Sequence, residues 1–350
     1  MIRVAHLLPN LAIGGRERIV ADLCHTAEAQ GIAPIIITYD PLPAGAATIA
    51  VDAPLVALDR RDPAFGTRLR AAVAAHRVDL VHAQGHVPAA LLPPLEVPHV
   101  VTLHVALGSG WRWLPAIRRG LRSAAAVTAV SDDLRRRFAF VAGRRPEVIA
   151  TGVDLARFAP VPRVHGVFTI GIAARLHPIK RHRDALDALR LLAARGVRLK
   201  LLIAGDGPET GAIARRAEGL DVEMLGAVED MPGFYARCDA AMLVSDHEGT
   251  PAALAEAMAC GLPIVATAVG GVPALIGEAG LLVPRRNPAA IADALVRLVT
   301  DPALRASLAA EGIARARALD IGVQATAYRA VYARALGACA APPFRFRSGV

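Results

Sequence analysis

Glu248 and Glu256 are separated by seven residues in the run Ser245-Asp246-His247-Glu248-Gly249-Thr250-Pro251-Ala252-Ala253-Leu254-Ala255-Glu256-Ala257-Met258-Ala259-Cys260-Gly261-Leu262-Pro263. Thr250 is a suitable N-cap and Pro251 a suitable first helical residue, while Gly261 and Pro263 mark the helix end. The helix is therefore expected over 251–260, with Glu248 and Gly249 in the loop before it. Proline has no N–H, so the open donors at this helix start are expected to be the Ala252 and Ala253 amides, which suit sugar hydroxyls or a phosphate oxygen. From Pro251 to Glu256 the helix rises about 7.5 Å, so the two acids address different parts of a long ligand. The carboxyl pair of a retaining glycosidase lies roughly 5 Å apart across one bond. The spacing here favours gripping an extended ligand at two points and disfavours hydrolysis.

Two cations, Arg175 and Lys180, follow the apolar run 168–174. At the carboxyl end of a strand they would neutralise a diphosphate, the arginine through forked hydrogen bonds and the lysine as a point charge. Their effect would be largest on the charge that builds as a nucleoside diphosphate leaves. His104 closes the run Val100-Val101-Thr102-Leu103-His104 and would aim its ring beyond the strand end; a lone histidine fits a structural role as well. Gly14-Gly15 precedes a helix, where backbone N–H groups suit phosphate, although a glycine-rich turn without a ligand reads the same way.

The elements that must position these residues alternate throughout. Short apolar runs are expected as strands at 3–8, 34–38, 80–83, 97–104 and 125–130, with helices over 16–30, 63–76, 111–122 and 131–141. The proline-rich stretch 158–163 reads as a linker. A second series places strands at 168–174, 199–204, 222–225, 240–244, 263–266 and 281–283, and helices at 183–194, 208–217, 251–260 and 289–299. From Pro302 the chain is expected to be helical to about Leu336. The expected organisation is an N-terminal Rossmann-like domain over 1–160, a C-terminal one over 161–320, and a final helix and tail over 321–350 that returns to the first domain. In open parallel sheets ligands bind beyond the carboxyl ends of the strands, which is where the residues above fall.

The run around Glu248 and Glu256 resembles the E-x7-E signature of the retaining GT-B glycosyltransferases, specifically the family-four group. Gly14-Gly15, Val81-His82-Ala83, Thr102-Leu103-His104, Thr128-Ala129-Val130-Ser131, Gly152-Val153-Asp154, Arg175, Lys180, Gly205-Asp206-Gly207-Pro208 and Gly270-Gly271-Val272-Pro273 match in order, from about Arg3 to Leu336. The resemblance implies an α/β GT-B fold, two Rossmann-like domains whose parallel sheets face a cleft. It also implies that a hexose-type sugar passes from a nucleoside-diphosphate sugar to a glycan or lipid-linked acceptor, in cell-envelope or exopolysaccharide synthesis. Gly15 would approach the diphosphate, Arg175 and Lys180 would hold it, and Glu256 would bind the ribose. Glu248 and the Ala252 and Ala253 amides would hold the sugar, with Gly249 and Thr250 in the same loop and His104 on the other side. No metal or other cofactor is implied. Three positions depart from the family pattern: Thr151 where asparagine is frequent, Gln84 where a second histidine is frequent, and Ala274 where glutamate is frequent.

Composition agrees with this organisation. A chain of 350 residues, 54% hydrophobic and only 4% aromatic, suits two domains of helices and buried parallel strands. Four scattered cysteines with no C-x-x-C pair suggest neither a disulfide framework nor a zinc site. No signal peptide and no apolar run of membrane-spanning length is legible, so a cytoplasmic chain, at most peripheral on the inner membrane face, is expected. The net charge of +9 is uneven: from Trp111 to Arg145 nine arginines stand against Asp132 and Asp133. Such a patch would attract an anionic partner: phospholipid, nucleic acid or a phosphorylated substrate. The mixture Trp111-Arg112-Trp113 with Ile117-Arg118-Arg119 is that of an interfacial helix and favours an anionic membrane surface. A nucleic-acid binder would leave Glu248 and Glu256 unexplained and shows no recognition motif beyond charge. Gly205-Asp206-Gly207-Pro208-Glu209-Thr210-Gly211 misses the dinucleotide-binding spacing by one, which disfavours a dehydrogenase. A sugar-nucleotide epimerase or a phosphorylase of the same fold is the nearer alternative. Oligomeric state is not legible.

Overall fold

The computed structural model describes residues 1–42, 47–107, 113–160 and 166–340, with side chains through residue 337. The chain forms two units: one of Met1–Ala12, Val20–Ile149 and the chain from Ala325, the other of Ile13–Ile19 and Ala150–Gln324.

The first unit holds a parallel sheet of β1 (Ile2–Leu8), β2 (Ile32–Thr38), β3 (Leu55–Ala57), β4 (Leu80–Ala83), β5 (His99–Leu103), β6 (Ala126–Ala129) and β7 (Glu147–Val148), ordered β3-β2-β1-β4-β5-β6-β7. Between the strands run α1 (Gly15–His25), α2 (Phe65–Ala75), α3 (His86–Leu91), α4 (Leu114–Ser123) and α5 (Asp132–Ala142). Strand order reverses between β1 and β4, so a crevice opens at their carboxyl ends.

The second unit repeats the plan with β8 (Thr169–Ala173), β9 (Lys200–Ala204), β10 (Val222–Gly226), β11 (Ala240–Leu243), β12 (Ile264–Thr267) and β13 (Gly280–Val283), ordered β10-β9-β8-β11-β12-β13. Its helices are α6 (His182–Ala194), α7 (Thr210–Ala217), α8 (Met231–Ala236), α9 (Ala252–Ala259), α10 (Val272–Ile276), α11 (Pro288–Thr300) and α12 (Pro302–Arg317); α13 (Ile321–Ala340) carries the chain back to the first unit. Here the reversal lies between β8 and β11.

The side-chain period of two explains both sheets. In the second unit Leu202, Ala241, Leu243, Ile264 and Ala266 fill one core, and Leu201, Ile203, Ala240, Met242 and Val265 fill another on the opposite face. Both faces are covered by helices, which is why these strands are continuously apolar. In the first unit Ala5, Leu7, Val81, Ala83, Val101, Leu103, Val127 and Ala129 form an apolar core, while the alternate positions His6, His82, Thr102 and Thr128 are buried and polar.

Several local expectations are corrected. The helix expected over 16–30 ends at His25 and is followed by a 3-10 turn at Glu28–Gln30, because Gly31 takes a left-handed conformation that turns the chain into β2. The helix after Pro302 breaks at 318–320, where Val153 exchanges backbone hydrogen bonds with Leu319 and Ile321 in place of helical ones. Phe158, read as linker, is buried with its ring edge-on to Tyr235 at 6.1 Å; residues 161–163 of that stretch lie outside the described residues. α4 begins at Leu114, and Trp111 and Arg112, assigned to it from sequence, also lie outside the described residues. The short elements β3, β7, α3, α8 and α10 carry too few residues to show a period and were not expected. Among the described residues no helix is long and apolar enough to cross a membrane.

Candidate active site

At the β8/β11 reversal, two loops are tied together. The Asp246 amide donates to the Ile179 carbonyl at 2.8 Å, and Lys180 Nζ donates to Glu248 Oε1 at 2.6 Å. The Ser245 hydroxyl donates to the same oxygen at 2.5 Å, and Glu248 is 8% exposed. Charge and geometry agree: a nearly buried carboxylate is sustained by an ammonium and a hydroxyl. Behind it, Gly270 is left-handed (φ +53°), and a Cβ there would overlap the Glu248 carbonyl oxygen. Gly270 is thus required by backbone packing against the Glu248 loop. Asp246 is clamped by Arg286 through two hydrogen bonds of 2.8 and 2.9 Å, which hold its carboxyl below the usual range.

Arg175 lies on the same β8 loop, exposed and, among the described residues, without an ion-pair partner. The loop rests on Gly205 and Gly207, where a Cβ would overlap the carbonyls of Ala174 and Leu176. The Gly205-Asp206-Gly207 motif therefore serves close approach of the β9 loop to the loop carrying Arg175.

Glu256 lies in α9 at 8% exposure, and the Tyr235 hydroxyl sits 2.9 Å from its Oε2 and 3.0 Å from the Ala253 carbonyl. Burial first, then the Glu256 charge, pushes the Tyr235 phenol well above its ordinary pKa, so it stays a donor. The cap of α9 differs from expectation. Pro251 is the N-cap, with extended backbone (ψ 113°), and helical geometry begins at Ala252. Its carbonyl accepts from the Leu254 amide at 3.1 Å, the role of an N-cap carbonyl, so the Thr250 side chain has no cap to make. The Thr250 carbonyl instead accepts a 3.4 Å hydrogen bond from the Thr151 hydroxyl. The Ala252 and Ala253 amides remain the first two of the helix, without intrahelical acceptors.

Gly15 opens α1 within the segment Ile13–Ile19 that belongs to the second unit, and a Cβ there would meet nothing within 4 Å; the Gly14 carbonyl accepts from the Arg18 amide at 2.9 Å. His104, 9% exposed, follows β5, and its Nε2 lies 2.8 Å from Gln84 Oε1; Gln84 Nε2 lies 2.9 Å from His6 Nδ1. Below this chain, His82 bridges Thr102 (2.6 Å) and Tyr332 (2.7 Å), and Thr102 reaches Thr128 (2.7 Å) and Tyr328 (3.1 Å). The two tyrosines come from α13. An unpaired buried polar group costs about 1–3 kcal/mol, so α13 completes this face of the sheet by satisfying it.

Known proteins resemble both halves. Residues 13–157 match the family model described as Glycosyltransferase Family 4, and residues 167–301 the one described as Glycosyl transferases group 1. The GDP-mannose-dependent alpha-(1-6)-phosphatidylinositol monomannoside mannosyltransferase of Mycolicibacterium smegmatis is 30% identical over 286 residues, 72% of this chain and 75% of its own length. The chain belongs to the family-four GT-B glycosyltransferases. The D-inositol 3-phosphate glycosyltransferase of Kineococcus radiotolerans is likewise 30% identical, over 74% of this chain and 72% of its own. Among solved structures, Anabaena HepE in complex with UDP and glucose superposes with a TM-score of 0.82 at 22% identity, covering 95% of this chain and all of that one. The α/β GT-B fold expected from the sequence is the fold of this glycosyltransferase.

The geometry also shows what sequence reasoning passed over. Ser245, Tyr235 and Thr151 each touch a site residue or its loop. Ser245 lay inside the quoted run without a role, and nothing around Tyr235 or Thr151 marked their partners. Gln84 and His6 had a readable signal: polar residues recur at every second place at the ends of β4 (His82, Gln84) and β5 (Thr102, His104), and His6 stands level with His82 in the adjoining β1.

The buried rings of this glycosyltransferase make its stability depend on pH. Burial lowers His6 and His182 to about 4 from 6.5, and His82 well below 6.5, with the neighbouring His6 and His104 adding to the last. Between the lowered and the ordinary value the unfolded chain binds protons that the folded chain does not. The stabilisation is complete above pH 6.5 and is lost as pH falls towards 4, on the order of 3 kcal/mol for each ring lowered to about 4. Urea unfolding should show a midpoint that drops steadily from pH 7 to pH 5; a flat profile would mean that these rings are charged in the folded state.

Proposed function

We propose that this glycosyltransferase moves a hexose-type sugar, with retention, from a nucleoside-diphosphate sugar to a glycan or lipid-linked acceptor on the cytoplasmic side of the membrane. The second unit holds the donor and the first receives the acceptor. The observation that carries the reading is the Lys180–Glu248–Ser245 cluster at the β8/β11 reversal, with the exposed cation Arg175 on the same loop. The names of the relatives support the class of donor: one uses GDP-mannose, and HepE was solved with UDP and glucose.

In this reading Arg175 and Lys180 take the diphosphate, with the backbone at Gly14 and Gly15 beside it. Glu256 takes the ribose hydroxyls, with Tyr235 steadying its carboxylate. Glu248, the Gly249–Thr250 loop and the Ala252 and Ala253 amides take the sugar, and His104 is the first unit's candidate for a substrate contact. The bond from the anomeric carbon to the phosphate oxygen breaks while the acceptor oxygen bonds to the same face. The acceptor's proton passes to the departing phosphate. Negative charge grows on that oxygen, so fixed cations stabilise the transition state more than the bound donor. These cations and the start of α9 supply the charge compensation, and no metal is assigned a role.

The arginine-rich stretch supplies the acceptor's surroundings. Arg135 and Arg137 pair with Asp132 and Asp133, leaving Arg119, Arg122, Arg136, Arg144 and Arg145 exposed without a carboxylate partner among the described residues. Phe140 is 81% exposed beneath the Arg118 guanidinium at 5.9 Å, and Trp113 is 45% exposed. Exposed aromatics among cations fit the headgroup layer of an anionic bilayer, where both charge and ring area contribute.

A thermal-shift screen of nucleoside diphosphates and their sugars tests the donor site. A bound donor at 100 times its Kd stabilises by about 2.7 kcal/mol. That shift should vanish in Arg175→Ala and Glu256→Ala, and its persistence in both would remove the site. Transfer to acceptor should continue in EDTA; loss restored by a divalent cation would overturn the metal-independent scheme. Sedimentation with phosphatidylglycerol vesicles should capture the protein at low salt and release it at high salt. Capture unchanged in Arg118→Ser/Arg122→Ser/Phe140→Ser would eliminate this surface.

A further inference from the structure

Among the described residues three that are not glycine take left-handed backbone: Arg77, Arg181 (φ +55°) and Arg286 (φ +56°). Such backbone is unfavourable for a residue with a Cβ and persists where surrounding contacts impose it. Arg181 and Arg286 both meet the loops at the β8/β11 reversal, and each forks onto an aspartate. Arg181 follows Lys180 and donates from Nε and Nη2 to Asp184 at 2.9 and 2.8 Å, with both side chains largely buried. Arg286 follows the edge strand β13 and donates from the same two atoms to Asp246 at 2.8 and 2.9 Å. The two pairs also act on each other. The Arg286 hydrogen bonds are the main cause of the lowered Asp246 carboxyl, with the Arg181 charge adding to them, and the Asp184 charge acts on Arg286. Opposite charges thus link the segments that follow β8, β11 and β13. Asp246 is the centre of the arrangement. Its carboxylate takes the Arg286 fork, and its amide donates to the Ile179 carbonyl at 2.8 Å. Two residues further on stands Glu248, whose Oε1 accepts from Lys180 and Ser245.

We propose that Arg286 is a positioning residue: by gripping Asp246 from the loop after β13, it holds the Glu248 loop in register with Lys180. Glycine would take the left-handed backbone at little cost, so the turn alone does not call for an arginine. The side chain does, because a planar fork fixes both carboxylate oxygens of Asp246, whereas a lysine would act as a point charge. The Arg286 side chain is 60% exposed, and an ion pair so open to water adds little to stability. Its effect is on where the Asp246 segment sits. The consequence for the donor rests on the reading that Glu248 takes the sugar, whereas the hold on the loop does not.

Hydrogen exchange of the full chain, read by mass spectrometry over residues 245–250, tests the hold without any ligand. In Arg286→Gly these amides should exchange about tenfold faster, as the loss of one charged hydrogen bond predicts. The urea midpoint should stay level or rise, because glycine relieves the left-handed backbone. Arg286→Lys, which keeps the charge without the fork, should speed the same amides. Adding Asp246→Asn to Arg286→Gly should speed them no further, since the two residues act as one pair. Unchanged exchange over 245–250 in Arg286→Gly, or faster exchange spread over the whole chain with a lower midpoint, would overturn the proposal. Calorimetry with UDP, UDP-glucose, GDP and GDP-mannose reads the consequence. Arg286→Gly should weaken the sugar nucleotide about tenfold and leave the matching nucleoside diphosphate nearly unchanged, a split that general loosening does not give. Equal weakening of both would reduce Arg286 to a structural role and overturn the proposal. Faster local exchange with sugar-nucleotide binding intact would remove the Glu248 sugar contact and leave the hold on the loop standing. If the unaltered protein binds none of the four, the donor reading fails, and the exchange rates still decide the hold.

Discussion

The second unit of this glycosyltransferase depends on holding opposite charges close together at the carboxyl ends of β8 and β11. A 2.6 Å contact between Lys180 and Glu248 is possible only because the two loops are already fastened by the backbone hydrogen bond from Asp246 to Ile179. The reversal of strand order puts those loops on either side of one crevice, and the glycines at 205, 207 and 270 let neighbouring backbone press against them. Glycine in this site is mainly a packing device. It brings the cation-bearing and acid-bearing segments within range, and the charged side chains do the rest. An ammonium neutralised by a carboxylate is less costly to bury, and an anionic ligand that competes for it gains a cation already in place.

The first unit solves a different problem with the same topology. One face of its sheet is apolar, and the other carries imidazoles and hydroxyls whose burial must be balanced bond by bond. Balance comes from two sources: neighbouring strands, which join His6 to Gln84 and Gln84 to His104, and α13, which brings Tyr328 and Tyr332 to His82 and Thr102. Low effective dielectric makes each of these bonds worth more, and each omission more expensive.

Much of this was legible before any coordinates. The alternation of apolar runs and helical stretches conveys two parallel sheets because strand burial on both faces leaves a continuous apolar signature. The acids and cations fall after strands, where such sheets bind ligands, so Lys180 and Glu248 could be grouped from sequence alone. What could not be read is who touches whom across the chain. Nothing around Tyr235 announces Glu256, and nothing around Thr151 announces the Thr250 carbonyl, since both contacts depend on tertiary placement. The N-cap of α9 was misplaced by one residue because propensity favours threonine, whereas the actual cap is set by the backbone angle of Pro251 and by its carbonyl. Short elements such as β3 and α10 lack the length for a period to emerge.

The tyrosines of α13 bear on the order of events during synthesis. Residues 2 to 129 contain every strand position of the polar face, yet the hydroxyls that meet His82 and Thr102 belong to residues 328 and 332. A ribosome must reach Tyr332, far beyond the last of these strands, before the first sheet can complete its hydrogen bonds. Until then the nascent N-terminal half carries exposed imidazole and threonine groups that water must satisfy, while the later sheet, whose strands and helices lie within one continuous stretch, can assemble without waiting.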